Sequence, residues 1–451
     1  MLNLAQLESQ TRGLLAALKQ LAEHCPSAVD GTAEGMVPGL SPWSTTGELG
    51  EATRARETVL KCLTKLQISL AGPIEVLQHM ASQIQLLACL QWLGEFQVPA
   101  CIPLDGSASI KDVAELIGVP ENHICRIVRM AITAGFLQET EPGHVAHSPL
   151  SAAFVTNPSY VDAAMFLARI TTPAALNMPS ITRQRTAGMC DRANQVEQKN
   201  NIINIVNSFT LDETALPRLE RQWYAYLRFG TKNLCDTATD IISCLDSIQG
   251  TSATVVEVGA RSLDRAMTLA NRYPTLRFII QIHLPSSASG SGKDEAKYDR
   301  TRAIRSHSQI TVQYRTPGTP QQIQDATVYI INFPLPLPGV SSCSISAQLE
   351  TELRAHLQAL RLSPAATLVL TAPALPERGA RGTEVAVLTR IRDLSFLQLA
   401  NDREPEISEL INLLNGVGDS EGRFVVVKMV KSTANNGAIG LELKYQEYSD
   451  R

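Results

Sequence analysis

The sequence predicts a two-part α/β chain, in which a helical N-terminal part precedes a doubly wound parallel sheet. Three observations carry this prediction. Apolar residues recur at helical spacing through most of the chain before residue 100. A helix–turn–helix–hairpin pattern occupies residues 109–148. From residue 254 onward, β-favouring runs alternate with helical runs, which is typical of βα units.

The composition is typical of a globular protein with a small net charge and therefore a weak electrostatic field. Of 451 residues, 44% are hydrophobic and 19% are charged, enough for a sizeable core in two or three domains. The net charge of −4 argues against nucleic-acid binding through overall charge. Nine scattered cysteines without a CxxC pair predict a reducing compartment and no zinc cluster. We also expect no secretion signal and no membrane span.

Changes in composition divide the chain into five regions. Residues 1–25 predict an amphipathic helix, and residues 26–50, rich in Gly, Pro, Ser and Thr, predict a flexible linker. Residues 51–170 predict a helical domain that contains a winged helix, and residues 171–250 predict connecting helices. Residues 251–451 predict a Rossmann-like domain.

Individual segments of the N-terminal part have their own signals. Pro73 opens a helix whose apolar stripe continues past residue 90. The stretch 154–208 lacks periodicity, so we expect it to be irregular. Residues 217–245 predict a long helix that leads into the sheet domain.

The predicted winged helix has clear boundary signals. Ser109 and Asp112 have capping-box spacing at the start of a short helix, and Pro120 opens a second helix. The turn at residues 141–143 joins two short strands into a hairpin. His144 and His147 lie on this hairpin, and nothing near them in the sequence completes a metal site.

The charges of this unit argue against direct DNA recognition. Its second helix offers Arg126 and Arg129, but the hairpin carries Glu139 and Glu141. A DNA reader needs basic residues on both elements because it must neutralise phosphates. Residues 135–148 resemble the same unit of O-methyltransferases, and this resemblance implies a structural and dimerisation role.

Residues 255–285 predict the first βαβ unit of the sheet. A β-favouring run leads to Glu257 and Gly259, a helical run follows, and Tyr273-Pro274 precede the second apolar run. This stretch resembles motif I of class I S-adenosylmethionine-dependent O-methyltransferases that act on phenolic natural products. That family has a glycine-rich turn after the acid and an Asp-Leu-Pro after the second strand.

The resemblance is incomplete at the positions that would hold the methyl donor. Ala260, Arg261 and Leu263 replace glycines of the turn, and His283 replaces the acid that binds both ribose hydroxyls. We expect the side chains of Arg261 and Leu263 to enter the space that glycines leave for the cofactor. The segment 313–316 replaces the adenine-side motif.

The general base of that family is also missing. The resemblance implies a histidine after the fourth strand, but this region reads YIINFPLPLPG from Tyr329 and places Asn332 there. An amide cannot remove a phenolic proton at neutral pH. We therefore predict no catalytic residue, no cofactor-binding residue and no bound cofactor.

The chain resembles more closely the transcriptional coactivators of fungal polyketide gene clusters, typified by that of the aflatoxin cluster. Five segments carry the likeness: residues 86–97, 101–105, 135–148, 273–278 and 393–399. The resemblance implies a non-catalytic coactivator in the biosynthesis of a mycotoxin-type aromatic polyketide. It implies a zinc-cluster (Zn₂Cys₆) transcription factor as partner, a homodimer, and localisation in nucleus and cytoplasm.

Two alternatives stay open at this point. One is an active O-methyltransferase for an aromatic polyketide, which would need a divergent cofactor turn and another base. The other is a cyclase-like or ligand-binding protein that uses the substrate pocket without the methyl donor. Neither direct nucleic-acid contact nor a membrane partner is expected.

Overall fold

The computed structural model describes ten segments of the chain: residues 4–24, 49–180, 182–183, 215–231, 253–260, 263–283, 308–338, 343–373, 384–431 and 438–448. Contacts divide the chain into two compact units. The first contains Met1–Pro173 and Leu216–Tyr226, and the second contains Ala174–Ala215 and Leu227–Arg451. The predicted linker lies almost wholly outside the described residues. No helix in these segments has the length and apolarity that a membrane crossing needs.

The first unit begins with an antiparallel helical hairpin. Helix α1 (Leu4–His24) packs on α2 (Leu49–Leu70), and the side chain of Gln10 donates to the hydroxyl of Ser69 at 3.2 Å. Small residues line the seam, where Ala17, Ala52 and Ala55 are buried. Helix α3 (Pro73–Glu95) starts at Pro73, as the sequence predicts.

A three-stranded sheet with two helices follows. Its elements are β1 (Ser107–Ser109), α4 (Ile110–Ile117), α5 (Glu121–Thr133), β2 (Leu137–Glu141) and β3 (His144–His147), with strand order β1-β3-β2. The capping prediction is wrong in one respect, because the Ser109 side chain makes no cap hydrogen bond. The N–H of Ile110 instead donates to the carbonyl of Gly143 at 2.9 Å, which joins the helix to the hairpin turn.

His147 has a structural role in this unit. Its Nδ1 lies 2.9 Å from the hydroxyl of Ser151, and its Nε2 lies 3.1 Å from the carbonyl of Pro99 and 3.2 Å from that of Ile102. Both ring nitrogens are therefore engaged within the protein. Among the described residues, no group of three or more His, Cys, Asp or Glu side chains could hold a metal ion.

The expectation of irregular structure after residue 154 is wrong for its first part. Three helices cover this region: α6 (Pro149–Thr156), α7 (Pro158–Phe166) and α8 (Thr172–Leu176), with a π-turn between the last two. Ser148 and Asn157 cap the first two helices through their side chains. Each cap precedes a proline at the first helical position, so the start signals were present without a clear apolar period. Most of residues 177–208 lie outside the described segments.

The long helix predicted after residue 217 is observed as α9 (Ala215–Gly230), and its predicted continuation lies outside the described residues. Trp223 and Tyr226 are buried on it. The ring of Tyr226 stacks on Phe166 of α7, and the ring of Trp223 is tilted by 45° to that of Phe166 with centroids 5.2 Å apart. This aromatic cluster fixes α9 against the helices that precede it.

The second unit contains a seven-stranded sheet. Its strands are β4 (Thr254–Val258), β5 (Arg277–His283), β6 (Ile310–Arg315), β7 (Val328–Asn332), β8 (Thr367–Pro373), β9 (Gly422–Lys431) and β10 (Ala438–Glu447). Their order is β6-β5-β4-β7-β8-β10-β9. The first five are parallel and the last two antiparallel, as the alternating pattern predicted. Because β4 is central, the strand order reverses beside it.

In the part of the chain that the structure describes, five helices accompany these strands: α10 (Asp264–Arg272), α11 (Ile345–Arg354), α12 (Leu357–Leu362), α13 (Glu384–Ala400) and α14 (Ile407–Gly416). The apolar periodicity of residues 345–362 predicts a single helix, whereas the structure divides this segment into α11 and α12. The carbonyl of Ala355 accepts a hydrogen bond from the N–H of Gln321 at 2.9 Å, where the helix is interrupted. A contact with a residue distant in the sequence therefore accompanies the break between α11 and α12. The apolar periodicity of the segment gives no sign of this break.

Candidate functional site

The carboxyl ends of β4, β5 and β7 meet at the point where the strand order reverses. Val258 pairs with Gln281 on one side and with Ile331 on the other. This register places Glu257, His283 and Asn332 together, and these are three positions that the sequence analysis singled out. In open α/β sheets such an edge is where a nucleotide-type ligand binds.

A closed polar triad occupies the end of β4. Arg265 of α10 forms an ion pair with Glu257 and also donates to the side-chain oxygen of Asn332. The amide nitrogen of Asn332 donates to Glu257 Oε1 at 3.0 Å and to the carbonyl of Val258 at 3.1 Å. The side chains of Arg265 and Glu257 are only 9% and 3% exposed.

The triad balances its own charge. Burying a carboxylate without a counter-charge costs several kcal/mol, and here the chain itself supplies the cation. Asn332 uses both its carbonyl and its amino group within the triad, so it joins α10 to β7 rather than presenting a reactive group. Glu257, the acid of the motif I-like stretch, is thus paired within the protein.

The glycine turn beside this triad is covered by a side chain. Gly259 has φ of +69°, the left-handed conformation that favours glycine. A Cβ atom at this position would lie 3.1 Å from Cε1 of His283, so the imidazole ring lies against the backbone of the turn. The N–H of Ala260 donates to the carbonyl of Gln281 at 3.1 Å. The imidazole of His283 therefore fills the space beside Gly259, and one backbone N–H of the turn is hydrogen-bonded within the protein.

The prediction that the side chain of Leu263 enters the space over the turn is wrong. Leu263 packs against the hydrophobic core of the sheet, which also contains buried residues of α10. Arg261 lies outside the described residues. Arg265 was missed, although a signal existed: an arginine in the first turn of a helix opposes the helix dipole and needs a carboxylate nearby.

A second polar network is buried at the end of β5. Gln281 and Gln321 exchange side-chain hydrogen bonds of 3.0 and 2.9 Å. Nδ1 of His356 donates to the carbonyl of Glu352 at 2.7 Å, which leaves Nε2 to accept from Gln321 at 3.1 Å. Burial lowers the pKa of His356 to about 4, so the ring is neutral and both nitrogens are engaged.

The segment that replaces the adenine-side motif belongs to the same network. Arg315, at the end of β6, forms a buried ion pair with Glu352 of α11 and donates to the carbonyl of Thr319. Glu352 also accepts from the N–H of Gly318 at 2.7 Å. This region of the crevice is therefore joined to α11 by charge-assisted hydrogen bonds.

Neither Asn332 nor Tyr329 of β7 is suited to remove a phenolic proton. Asn332 stands where the related enzymes have their base, and it is an amide. Burial raises the pKa of Tyr329 to about 12, and its hydroxyl donates to the carbonyl of Ile323 at 2.7 Å. S-adenosylmethionine, the cofactor that the scaffold implies, does not fit this arrangement, because Arg265 holds the acid and His283 covers the turn.

The triad yields a stability prediction. Replacing Arg265 with Met leaves Glu257 buried without its cation, and we expect the free energy of unfolding to fall by about 3–5 kcal/mol. Urea denaturation at pH 7 followed by circular dichroism measures this loss. Arg354→Met is the matched control, since Arg354 and Glu350 form an exposed pair that contributes about 1 kcal/mol or less.

The double variant Glu257→Gln with Arg265→Met removes both charges, and we expect it to recover more than half of the loss. An Arg265→Met protein as stable as the wild type would contradict the role of this pair.

His356 yields a prediction about pH. Its pKa is lower in the folded chain than the ordinary value of 6.5, so the unfolded chain binds more protons between the two values. The stability that neutral His356 contributes is present above pH 6.5 and is lost as the pH falls toward about 4. Between pH 7 and pH 5 we expect wild-type stability to decline by about 2 kcal/mol more than that of His356→Gln. His123→Gln, at an exposed position of α5, should decline in parallel with the wild type.

Comparisons with known proteins agree with both resemblances seen in the sequence. Residues 4–71 match the N-terminal domain of the trypacidin cluster transcriptional coactivator tpcD. The chain is 94% identical to the transcriptional coactivator AacuS of Aspergillus aculeatus, over 95% of this chain and 100% of that protein. It is 53% identical to the agnestins biosynthesis cluster transcriptional coactivator AgnL9 of Paecilomyces divaricatus, with both chains fully covered.

Solved structures show the methyltransferase-like fold. OxaC superposes with a TM-score of 0.62 at 16% identity and covers 98% of this chain and 99% of its own. The mitomycin 7-O-methyltransferase MmcR superposes with a TM-score of 0.57 at 17% identity, over 82% of this chain and 97% of its own. The high identity to named coactivators and the matching N-terminal domain show that the chain belongs to the family of transcriptional coactivators of fungal secondary-metabolite gene clusters.

Proposed function

We propose that this protein is a non-catalytic coactivator of a fungal gene cluster for an aromatic polyketide, and that it acts through protein contacts on a methyltransferase scaffold. The buried triad of Glu257, Arg265 and Asn332 carries the proposal. In this triad Glu257, the acid of motif I, is paired with Arg265. The amide of Asn332 stands where the resemblance implies the base for methyl transfer. The names of the relatives support the coactivator role.

The partner that this role requires is a transcription factor, and we propose one of the Zn₂Cys₆ zinc-cluster class encoded in the same cluster. The protein would act in the nucleus and be present in the cytoplasm. We assign β1, α4, α5, β2 and β3 to a winged helix with a structural role. Glu139 is exposed on its hairpin, which disfavours contact with DNA phosphates.

We also propose a homodimer, supported by the exposure of α3. Every residue from 73 to 85 is exposed, so the first three turns of this helix have solvent on all sides. Their large aliphatic side chains are Ile74, Val76, Leu77, Met80 and Ile84. An isolated helix of this length is marginal in water, and an apolar one needs a covering surface. A second copy of the chain has the same apolar surface on α3, and contact between the two copies would bury both surfaces.

Calorimetry and a binding assay together test the main proposal. Titration with S-adenosylmethionine and S-adenosylhomocysteine should give no saturable heat at micromolar protein, whereas an active O-methyltransferase measured in parallel should give a full isotherm. The purified zinc-cluster regulator should form a complex with the chain in size-exclusion chromatography. Micromolar donor binding would support the alternative of an active methyltransferase, and absence of the complex would overturn the coactivator role.

Light scattering tests the dimer. The wild type should have the mass of two chains at micromolar concentration, and Leu77→Asp should shift it to one chain because a charge cannot be buried in an apolar interface. Leu116→Asp is the control, since Leu116 is equally exposed on α4, outside the α3 surface. A wild type that is monomeric would refute this proposal.

A further inference from the structure

Helix α13 has an apolar stripe on its outer side. Among residues 387–400 the exposed side chains are Val387, Arg390, Ile391, Leu394 and Leu397. Four of these five are aliphatic, and they are between 38% and 55% exposed. We call these four aliphatic residues the α13 stripe. Solvent-facing positions of a surface helix are normally polar, so a stripe of this kind marks an interaction site.

The opposite side of α13 is firmly anchored in the second unit. Phe396 and Leu399 are buried, and Arg392 forms a buried ion pair with Glu404. The N–H of Glu404 donates to the carboxylate of Asp393 at 3.0 Å. The helix therefore already has its own core, and the stripe is additional apolar surface that the fold of this unit does not use.

The size of the stripe limits what can cover it. It runs from residue 387 to residue 397, which is about 15 Å along the helix axis. A stable interface between two proteins buries about 800 Å² on each partner, more than four half-exposed aliphatic side chains provide. The α13 stripe is thus too small to hold two copies of this chain together by itself. It matches about three turns of a single amphipathic helix, whose anchors recur at i, i+3 or i+4, and i+7.

Charge indicates the polar character of that helix. Arg390 is the only charged side chain among the exposed positions of residues 387–400, and it is next to Ile391 of the stripe. Asp393 is only partly exposed and accepts the hydrogen bond from Glu404. Arg390 therefore provides a local positive charge beside the stripe, on a chain whose net charge is −4. A carboxylate beside the apolar anchors of the incoming helix would complement it.

We propose that the α13 stripe binds an amphipathic helix of the zinc-cluster regulator, with aliphatic anchors against Ile391 and Leu394 and an acidic residue opposite Arg390. This inference rests on the proposed coactivator function and names the surface through which it acts. The triad side chains are buried at the sheet edge, whereas the stripe is accessible in the folded chain.

Biolayer interferometry with the full-length chain and the purified regulator tests the site. Leu394→Asp should weaken binding about tenfold or more, because it places a carboxylate among the apolar anchors and beside the expected acid. Arg390→Glu, a surface change that conserves the fold, should weaken binding about threefold and reduce its salt dependence. Val427→Asp, at an exposed aliphatic position of β9, is the matched control and should bind like the wild type.

The outcomes separate this inference from the proposed function. A wild type that does not bind the regulator removes the coactivator role itself. If the wild type binds the regulator and Leu394→Asp and Arg390→Glu bind it equally well, the coactivator role stays intact. That result would overturn the α13 stripe as the binding site. Loss of the dimer in Leu394→Asp, measured by light scattering, would assign the stripe to a contact between copies and would also overturn the inference.

Discussion

The ion pair between Glu257 and Arg265 is the contact on which the rest of the site depends. A carboxylate at the end of a central parallel strand is buried by its neighbours on both sides, so it needs a counter-charge or a set of hydrogen-bond donors. A methyltransferase scaffold can meet that need with a ligand. This chain meets it with a cation from its own first crossover helix and an amide from β7.

Several other polar side chains at this edge also make their contacts within the protein. The imidazole of His283 lies on the glycine turn, Gln281 pairs with Gln321, and Arg315 pairs with Glu352. Each contact joins two segments of the second unit. Together they form a polar interior that holds strands and helices together.

In the proposed coactivator, function depends on the surface and not on the crevice. The chain retains a large parallel sheet with helices, yet it exposes apolar side chains on α3 and α13 well beyond single scattered residues. The two surfaces differ in extent. The broad one on α3 suits a second copy, and the narrow one on α13 suits one helix of a partner. A fold that hosts methyl transfer in other proteins is compatible with this use, because function depends on sites and not on architecture.

The sequence by itself determined the order of strands and helices in the sheet domain, the helix–helix–hairpin unit and the absence of a base at Asn332. These features depend on local periodicity, turn residues and the chemistry of single side chains. Only the tertiary structure decided that Leu263 faces the core, that Arg265 neutralises Glu257 and that the helix after Ile345 is interrupted at Ala355. Glu257 and Asn332 are 75 positions apart, and no local pattern encodes which distant groups a folded sheet edge brings into contact.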